Sequence, residues 1–419
     1  MWGAPFALGK KELQCLFHLT AHIYWLGAIN MDTNPFDINV LFRRNLEDLY
    51  QQLDDFVGNY SEITEIHRLG LSDEGREIKA IHVTDIGRPL AEKEVVVIIC
   101  GRHGDELGAF AVGLQLLYWL VSEEASDIRR NQLLIIVPFA NPDGFVRGEF
   151  FAPKDKISVV EKNYIRLLVD TFQPDVLIDV HSLGRGDLEA IIAGHTFHTG
   201  EDDFISGLLC ARMIKGAELG GYPFILHSLG VQELKPWTNV RYNNFICQEC
   251  FELCHSLVFG LEVNHFALGL KDAALSGLAA IRPLLKAGNA RFPWEYHSGY
   301  PNRIIKGNFL TSIRSTGKDA RERRISRMEI WKNRELFEEP ERQMLDRNTV
   351  RIWMKYHGEP LSYPFAICSR IRGKPNVAAV HFNKDEVEFY ICQDRCSTYV
   401  FTDIPVLNKS DYELTIEFK

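Results

Sequence analysis

Four short runs of the 419-residue chain carry almost no polar alternation: Glu94–Cys100 (EVVVIIC), Leu133–Phe139 (LLIIVPF), Val176–Val180 (VLIDV) and Ser256–Val263 (SLVFGLEV). A strand with one wet face alternates polar and apolar side chains. A β-branched run without that alternation has no wet face, so it belongs inside a sheet covered on both sides. Between and after these runs, Leu107–Val121, Val159–Phe172, Leu208–Leu219, Phe245–Cys254 and Leu270–Ala287 space their apolar residues as helices do. Buried strands alternating with helices predict an α/β layer fold, a mostly parallel or mixed twisted sheet flanked by helices.

Upstream, Leu41–Val57 reads as one amphipathic helix, and two alternating segments around Ser72-Asp-Glu-Gly-Arg76 read as a hairpin. The pattern changes at Phe292-Pro-Trp. Beyond it come short alternating segments with Gly, Pro and Asn turns, such as EVEFYIC and YELTIEF, interrupted by a densely charged stretch over Lys318–Gln343. These shifts divide the chain into an N-terminal leader or extension (1–39), a main domain (40–292) and a smaller β-rich C-terminal domain (293–419). For residues 1–30 two readings stand, a leader ahead of a start at Met31 or a docked N-terminal helix. Its apolar part, Leu13–Ile29, is broken by His18, Thr20 and His22 and is short for a membrane span. Lys+Arg total 47 against 56 Asp+Glu, a net charge of −9, which sets nucleic acid aside as the default partner. Nine cysteines, an odd number, point to reduced thiols and a cytoplasmic protein without a membrane segment.

The chemistry concentrates in Cys100-Gly-Arg-His-Gly-Asp-Glu106, immediately after the first buried run. His103 and Glu106, three apart in a Gly-flanked turn, can face the same side. The same spacing recurs at His82…Asp85 and His198…Glu201, but only His103 lies at the carboxyl end of a buried strand, where open α/β sheets place ligands. Catalytic zinc takes three protein ligands and keeps one position open. His181, after VLIDV and two residues beyond Asp179, supplies the third from the same sheet edge. Glu262, an acid inside the apolar run FGLEV, is the candidate general base. The alternative metal text, Cys247-x-x-Cys250-x-x-x-Cys254-His255, has the spacing of one helix stripe and reads as core.

These residues resemble the zinc carboxypeptidase superfamily, including its succinylglutamate desuccinylase and aspartoacylase branch. The shared signs are Ser72-x-Glu-Gly-Arg76, His103-x-x-Glu106, Asn141-Pro-Asp-Gly-Phe145, the strand-end His181, and Glu262. By that resemblance His103, Glu106 and His181 bind one Zn²⁺ per chain. Glu262 then activates the water that attacks a scissile amide carbonyl and later protonates the leaving amine. Arg102, beside the ligand turn, is assigned the polarising of that carbonyl, and Asn141 is placed at the substrate.

The chain also departs from the family. The interval from Glu106 to His181 is short, and no Asn-Arg pair follows Phe145. Arg147, Arg185 and Arg241 are the candidate replacements for gripping a substrate carboxylate, since a guanidinium fork matches it bidentately. Tyr242 lies where the family places a substrate-closing tyrosine. The resulting expectation is a zinc-dependent amide hydrolase acting on a peptide or acyl-amino-acid substrate. The alternatives are an N-acyl-amino-acid deacylase and, from another class, a catalytically silent binding module on the same fold.

Overall fold

The apolar runs form the middle of a single sheet. The computed structural model describes residues 34–90, 93–150, 168, 171–172, 174–195, 200–229, 250, 256–289, 294–298, 303–307, 341–345, 349–355, 365–372, 379–382, 388–393, 397–404 and 411–418. Strands β1 (Thr64–Leu71), β2 (Glu77–Val83), β3 (Glu94–Cys100), β4 (Gln132–Val137), β5 (Val176–Ser182), β6 (Ile191–His195), β7 (Ile225–Leu229) and β8 (Leu257–Val263) join in the order β1-β2-β4-β3-β5-β8-β6-β7. The four central strands β4, β3, β5 and β8 are parallel, whereas β2 meets β4 and β6 meets β8 antiparallel, so the sheet is mixed.

Every residue of β3 and β4 is buried. Because side chains alternate across a strand, Val96, Ile98 and Cys100 enter one apolar cluster while Val95, Val97 and Ile99 enter another on the opposite face. Each such side chain contributes roughly 1.5–3 kcal/mol by leaving water. The sheet's central strands are therefore the rigid floor on which the strand-end loops stand.

Helices α1 (Val40–Arg43) and α2 (Leu46–Asn59) replace the single helix expected over Leu41–Val57. The break is at Arg44, a left-handed residue with φ 50°, after which Asn45 caps α2 by accepting from Asp48 N at 3.2 Å. Its cause is long-range: Arg44 Nη1 donates to Gly104 O at 2.8 Å and to Phe145 O at 2.7 Å. Helix α3 (Leu107–Leu120) is buried on nearly every side. Then come α4 (Ser126–Asn131), α5 (Pro142–Arg147), α6 (Gly200–Leu219), α7 (His265–Leu268) and α8 (Leu270–Asn289). Among the described residues no helix is long and apolar enough to cross a membrane.

After α8 the described residues are antiparallel strands. β9 (Trp294–Ser298) pairs with β10 (Arg303–Gly307). A four-stranded sheet runs β11-β12-β17-β14 (Glu341–Met344, Thr349–Lys355, Asp411–Glu417, Ala379–Phe382), and a three-stranded one runs β13-β16-β15 (Phe365–Arg372, Ser397–Ile404, Glu388–Gln393). Tyr390 and Cys392 of β15 are buried in the cluster that contains α6, and the Arg212 guanidinium lies 5.3 Å from the Tyr390 ring centroid. The expectations for residues 1–33, most of the helix over Val159–Phe172, the cysteine stripe apart from Cys250, and most of the charged stretch over Lys318–Gln343 lie outside the described residues. Cys250 itself is buried, in no disulfide, and its thiol donates to Ser256 Oγ at 3.1 Å.

Candidate active site

The turn after β3 is shaped by two glycines. Gly101 adopts φ 69°, and a Cβ there would strike the Phe110 ring; a Cβ on Gly104 would fall on the Gly144 backbone. The turn's carbonyls are all taken up. Ala140 N donates to Cys100 O at 3.0 Å, Asn141 N to Gly101 O at 3.1 Å, Asn141 Nδ2 to Arg102 O at 3.1 Å, and Arg44 to Gly104 O. A backbone so fully bonded holds His103 and Glu106 at the head of α3 with little freedom.

β5 ends beside this turn and brings in His181. His103 Nδ1 lies 2.7 Å from Glu106 Oε1, His181 Nδ1 lies 3.0 Å from Glu106 Oε2, and the two Nδ1 atoms are 3.2 Å apart. These three residues offer ligand atoms all within 4.8 Å of one another. Ser182 N also donates to Glu106 Oε2 at 3.3 Å. Behind them, Asp179 Oδ2 meets His181 Nε2 at 2.9 Å and is ion-paired with the Arg102 guanidinium.

The charges of this cluster are tightly coupled. Burial pushes the Glu106 carboxyl up, but His181 and His103 outweigh it and hold it at about 2. Burial likewise opposes ionisation of Asp179, yet Arg102 and His181 keep it far below the usual carboxylate range. Two ionised carboxylates in turn raise His181 well above an ordinary imidazole, against its burial. Two imidazole nitrogens facing each other beside a carboxylate cannot both carry protons without repulsion, whereas one cation satisfies all three. Two nitrogens and a carboxylate oxygen are the donor set that suits zinc, and Asp179 on the far nitrogen of His181 fixes the ring with Nδ1 forward.

Glu262 stands directly across the ladder from His181 in the β5–β8 register. Burial raises its carboxyl to about 7, with Glu106 and Asp179 adding to the rise and His181 opposing it. A carboxyl that titrates near neutrality, beside a candidate metal site, has the properties of a general base. The register also explains an otherwise unfavourable acid in an apolar strand.

His265, missed in the sequence, completes the back of the site. Its Nδ1 lies 2.6 Å from Ser182 Oγ, and burial lowers its pKa. It sits at the end of β8, so the strand-end logic that found His181 could have found it. Asn264, the residue before it, donates to Arg185 O at 3.0 Å and Leu188 O at 2.7 Å, tying down the loop after β5.

The other expected site residues are placed differently. Arg102 is 2% exposed and paired with Asp179, so it braces the centre from beneath instead of facing a carbonyl. Asn141 caps α5, accepting from Gly144 N at 2.9 Å while donating to Arg102 O; it holds the ligand turn and does not face a substrate. Arg147 is engaged by Glu74 and by Glu149 at 3.0 Å. Arg185 projects into water, its side chain 69% exposed, and pairs with Asp187 at 2.6 Å. Neither arginine therefore presents an unneutralised fork for a carboxylate. Arg241 and Tyr242 lie outside the described residues.

The Ser72–Arg76 and Asn141–Phe145 texts are bonded to each other. Asp143, 2% exposed, accepts from Ser72 Oγ at 2.7 Å, Glu74 N at 3.1 Å and Arg76 Nη1 at 2.6 Å. Their role is to lock the hairpin turn against α5.

Comparison with known proteins finds similarity over part of the chain. Residues 49–157 match the zinc carboxypeptidase family. That span holds Ser72–Arg76, His103, Glu106 and Asn141–Phe145, while His181 and Glu262 lie beyond it. The inactive metallocarboxypeptidase ECM14 of Saccharomyces cerevisiae is 29% identical over 119 residues, which is 27% of this chain and 27% of that protein. Carboxypeptidase M of Mus musculus is 26% identical over 209 residues, covering 48% of this chain and 44% of that protein. The chain thus spans less than half the length of these two relatives. Carboxypeptidase A from Helicoverpa armigera is similar in structure at a TM-score of 0.48 and 16% identity, over 58% of this chain and 73% of that one. Over residues 49–157 the chain is similar to the zinc carboxypeptidases, and over part of its length it is similar to the metallocarboxypeptidases named above.

Proposed function

We propose that residues 40–292 form a zinc-dependent hydrolase that cleaves an amide bond of a peptide or peptide-like substrate. The observation that carries this reading is the convergence, at the ends of β3, β5 and β8, of His103, Glu106 and His181 with a carboxyl, Glu262, raised to about 7. His103, Glu106 and His181 would hold one zinc. Zinc bound there would supply a Lewis acid that polarises the scissile carbonyl and makes water a nucleophile near neutral pH.

The chain's own residues do the rest. Ionised Glu262 takes the proton of the attacking water as its oxygen bonds to the carbonyl carbon. When the C–N bond breaks, protonated Glu262 returns that proton to the leaving amine. Asp179 keeps His181 in the tautomer and orientation that present Nδ1, and Arg102 compensates the buried charge of Asp179. Cys100, Cys210, Cys250 and Cys392 are buried and in no disulfide, which fits a reducing compartment such as the cytoplasm.

The test compares wild type with Glu262→Gln for metal content and for release of C-terminal residues against release of acyl groups. The expected result is one zinc in both proteins and turnover in wild type alone. Turnover by a zinc-loaded Glu262→Gln protein would remove Glu262 from the assigned role. The name of the yeast relative, an inactive metallocarboxypeptidase, favours a second reading as a silent binding module. That reading predicts no turnover even from zinc-loaded wild type.

A further inference from the structure

The chain leaves α5 through Gly148, in the left-handed region at φ 69°, and doubles back over the ligand turn. Glu149 N donates to Gly144 O at 3.0 Å, and Gly104 N donates to Phe150 O at 3.4 Å. These bonds lay the Phe150 ring flat on the imidazole of His103, with centroids 3.6 Å apart and planes at 20°. Phe150 is 43% exposed, so it is no ordinary core side chain, yet its backbone is anchored to the same turn that carries the histidine.

We propose that Phe150 is a positioning residue for the metal centre, its ring fixing the plane of the His103 imidazole and holding it harder once that imidazole bears a cation's charge. The inference rests on the metal-centre reading above. His103 Nδ1 lies 2.7 Å from Glu106 Oε1 and 3.2 Å from His181 Nδ1. The face-to-face stack adds a contact over the whole ring plane and keeps the Nδ1 lone pair in the direction of Glu106 and His181.

The stack is also selective for the loaded state. The face of a benzene ring is electron-rich, and an imidazole drained by a bound cation is electron-poor. The attraction is therefore stronger with metal than without, and a contact that differs between the two states adds to affinity. A saturated side chain of similar size covers the imidazole but lacks that response.

The measurement is zinc affinity, by competition with a chromophoric chelator, beside the thermal midpoint of the metal-free protein. Phe150→Ala is expected to weaken zinc binding about tenfold, the effect usual for a residue that orients a metal ligand. Phe150→Tyr, which keeps the stack, should retain wild-type affinity, and Phe150→Leu should resemble Phe150→Ala, all with an unchanged metal-free midpoint. Wild-type zinc affinity in Phe150→Ala or in Phe150→Leu overturns the proposal alone. A wild-type protein that takes up no zinc overturns the metal-centre reading, and this proposal with it. Should Phe150→Ala fail to fold, the Leu and Tyr variants decide the question.

Discussion

Asp179 joins two functions that mutation can pull apart. It is 2% exposed, receives the Arg102 guanidinium on one side and holds His181 Nε2 at 2.9 Å on the other. Asp179→Asn keeps the shape and removes the carboxylate charge that pairs with the 2%-exposed Arg102 guanidinium. Breaking a buried pair in this way costs about 3–5 kcal/mol. Loss of the carboxylate behind a metal-ligating histidine weakens metal binding about 10–100-fold. Thermal and denaturant unfolding of the metal-free protein measure the first effect, and zinc titration against a chelator measures the second. The double variant Arg102→Met/Asp179→Asn separates them, because it buries no charge. It should recover most of the lost stability and none of the lost zinc affinity. A double variant that regains wild-type zinc affinity, or an Asp179→Asn protein unchanged in both measurements, would refute the two-sided role.

Three further outcomes are expected. Burial raises Glu262 to about 7, and the base works ionised, so kcat/KM should climb with pH through an inflection near 7 and flatten above it. Glu262→Gln should cost about 10²–10⁴-fold in rate, and a wild-type acid limb centred near 4 would contradict the assignment. Gly104→Ala places a methyl on the Gly144 backbone, so the ligand turn must shift; since misplacement of about 1 Å costs about 10²-fold, activity and zinc affinity should both collapse. A Gly104→Ala protein with normal zinc binding would show that the turn tolerates movement. Arg185→Ala removes only a solvent-exposed pair with Asp187, so a stability change of at most about 1 kcal/mol and unaltered KM are expected. A large rise in KM would restore Arg185 as a substrate contact.

The central sheet was legible because β3 and β4 are buried along their whole length, and a strand without a wet face has a distinctive composition. That His103, Glu106 and His181 cluster, with Glu262 in register beside His181, was legible for a related reason: polar groups at the ends of apolar strands stand out. What escaped depended on contacts distant in the chain. The break at Arg44 follows from carbonyls of residues 104 and 145, which no local periodicity encodes. Of the arginines read as substrate forks, the two described are neutralised by acids, Glu74 and Glu149 for Arg147 and Asp187 for Arg185, and only folding shows which acid a guanidinium meets. β7 is short and has partners far away in sequence, so its five residues carried too little pattern to be seen.

Adding zinc back to chelator-stripped protein while following hydrolysis of a mixed peptide library decides whether the His103–Glu106–His181 centre is catalytic. No hydrolysis without metal and full restoration at one zinc per chain are expected, with no restoration in His181→Ala. Wild-type protein that binds one zinc and still cleaves nothing would contradict a catalytic role and leave a metal-binding module in its place.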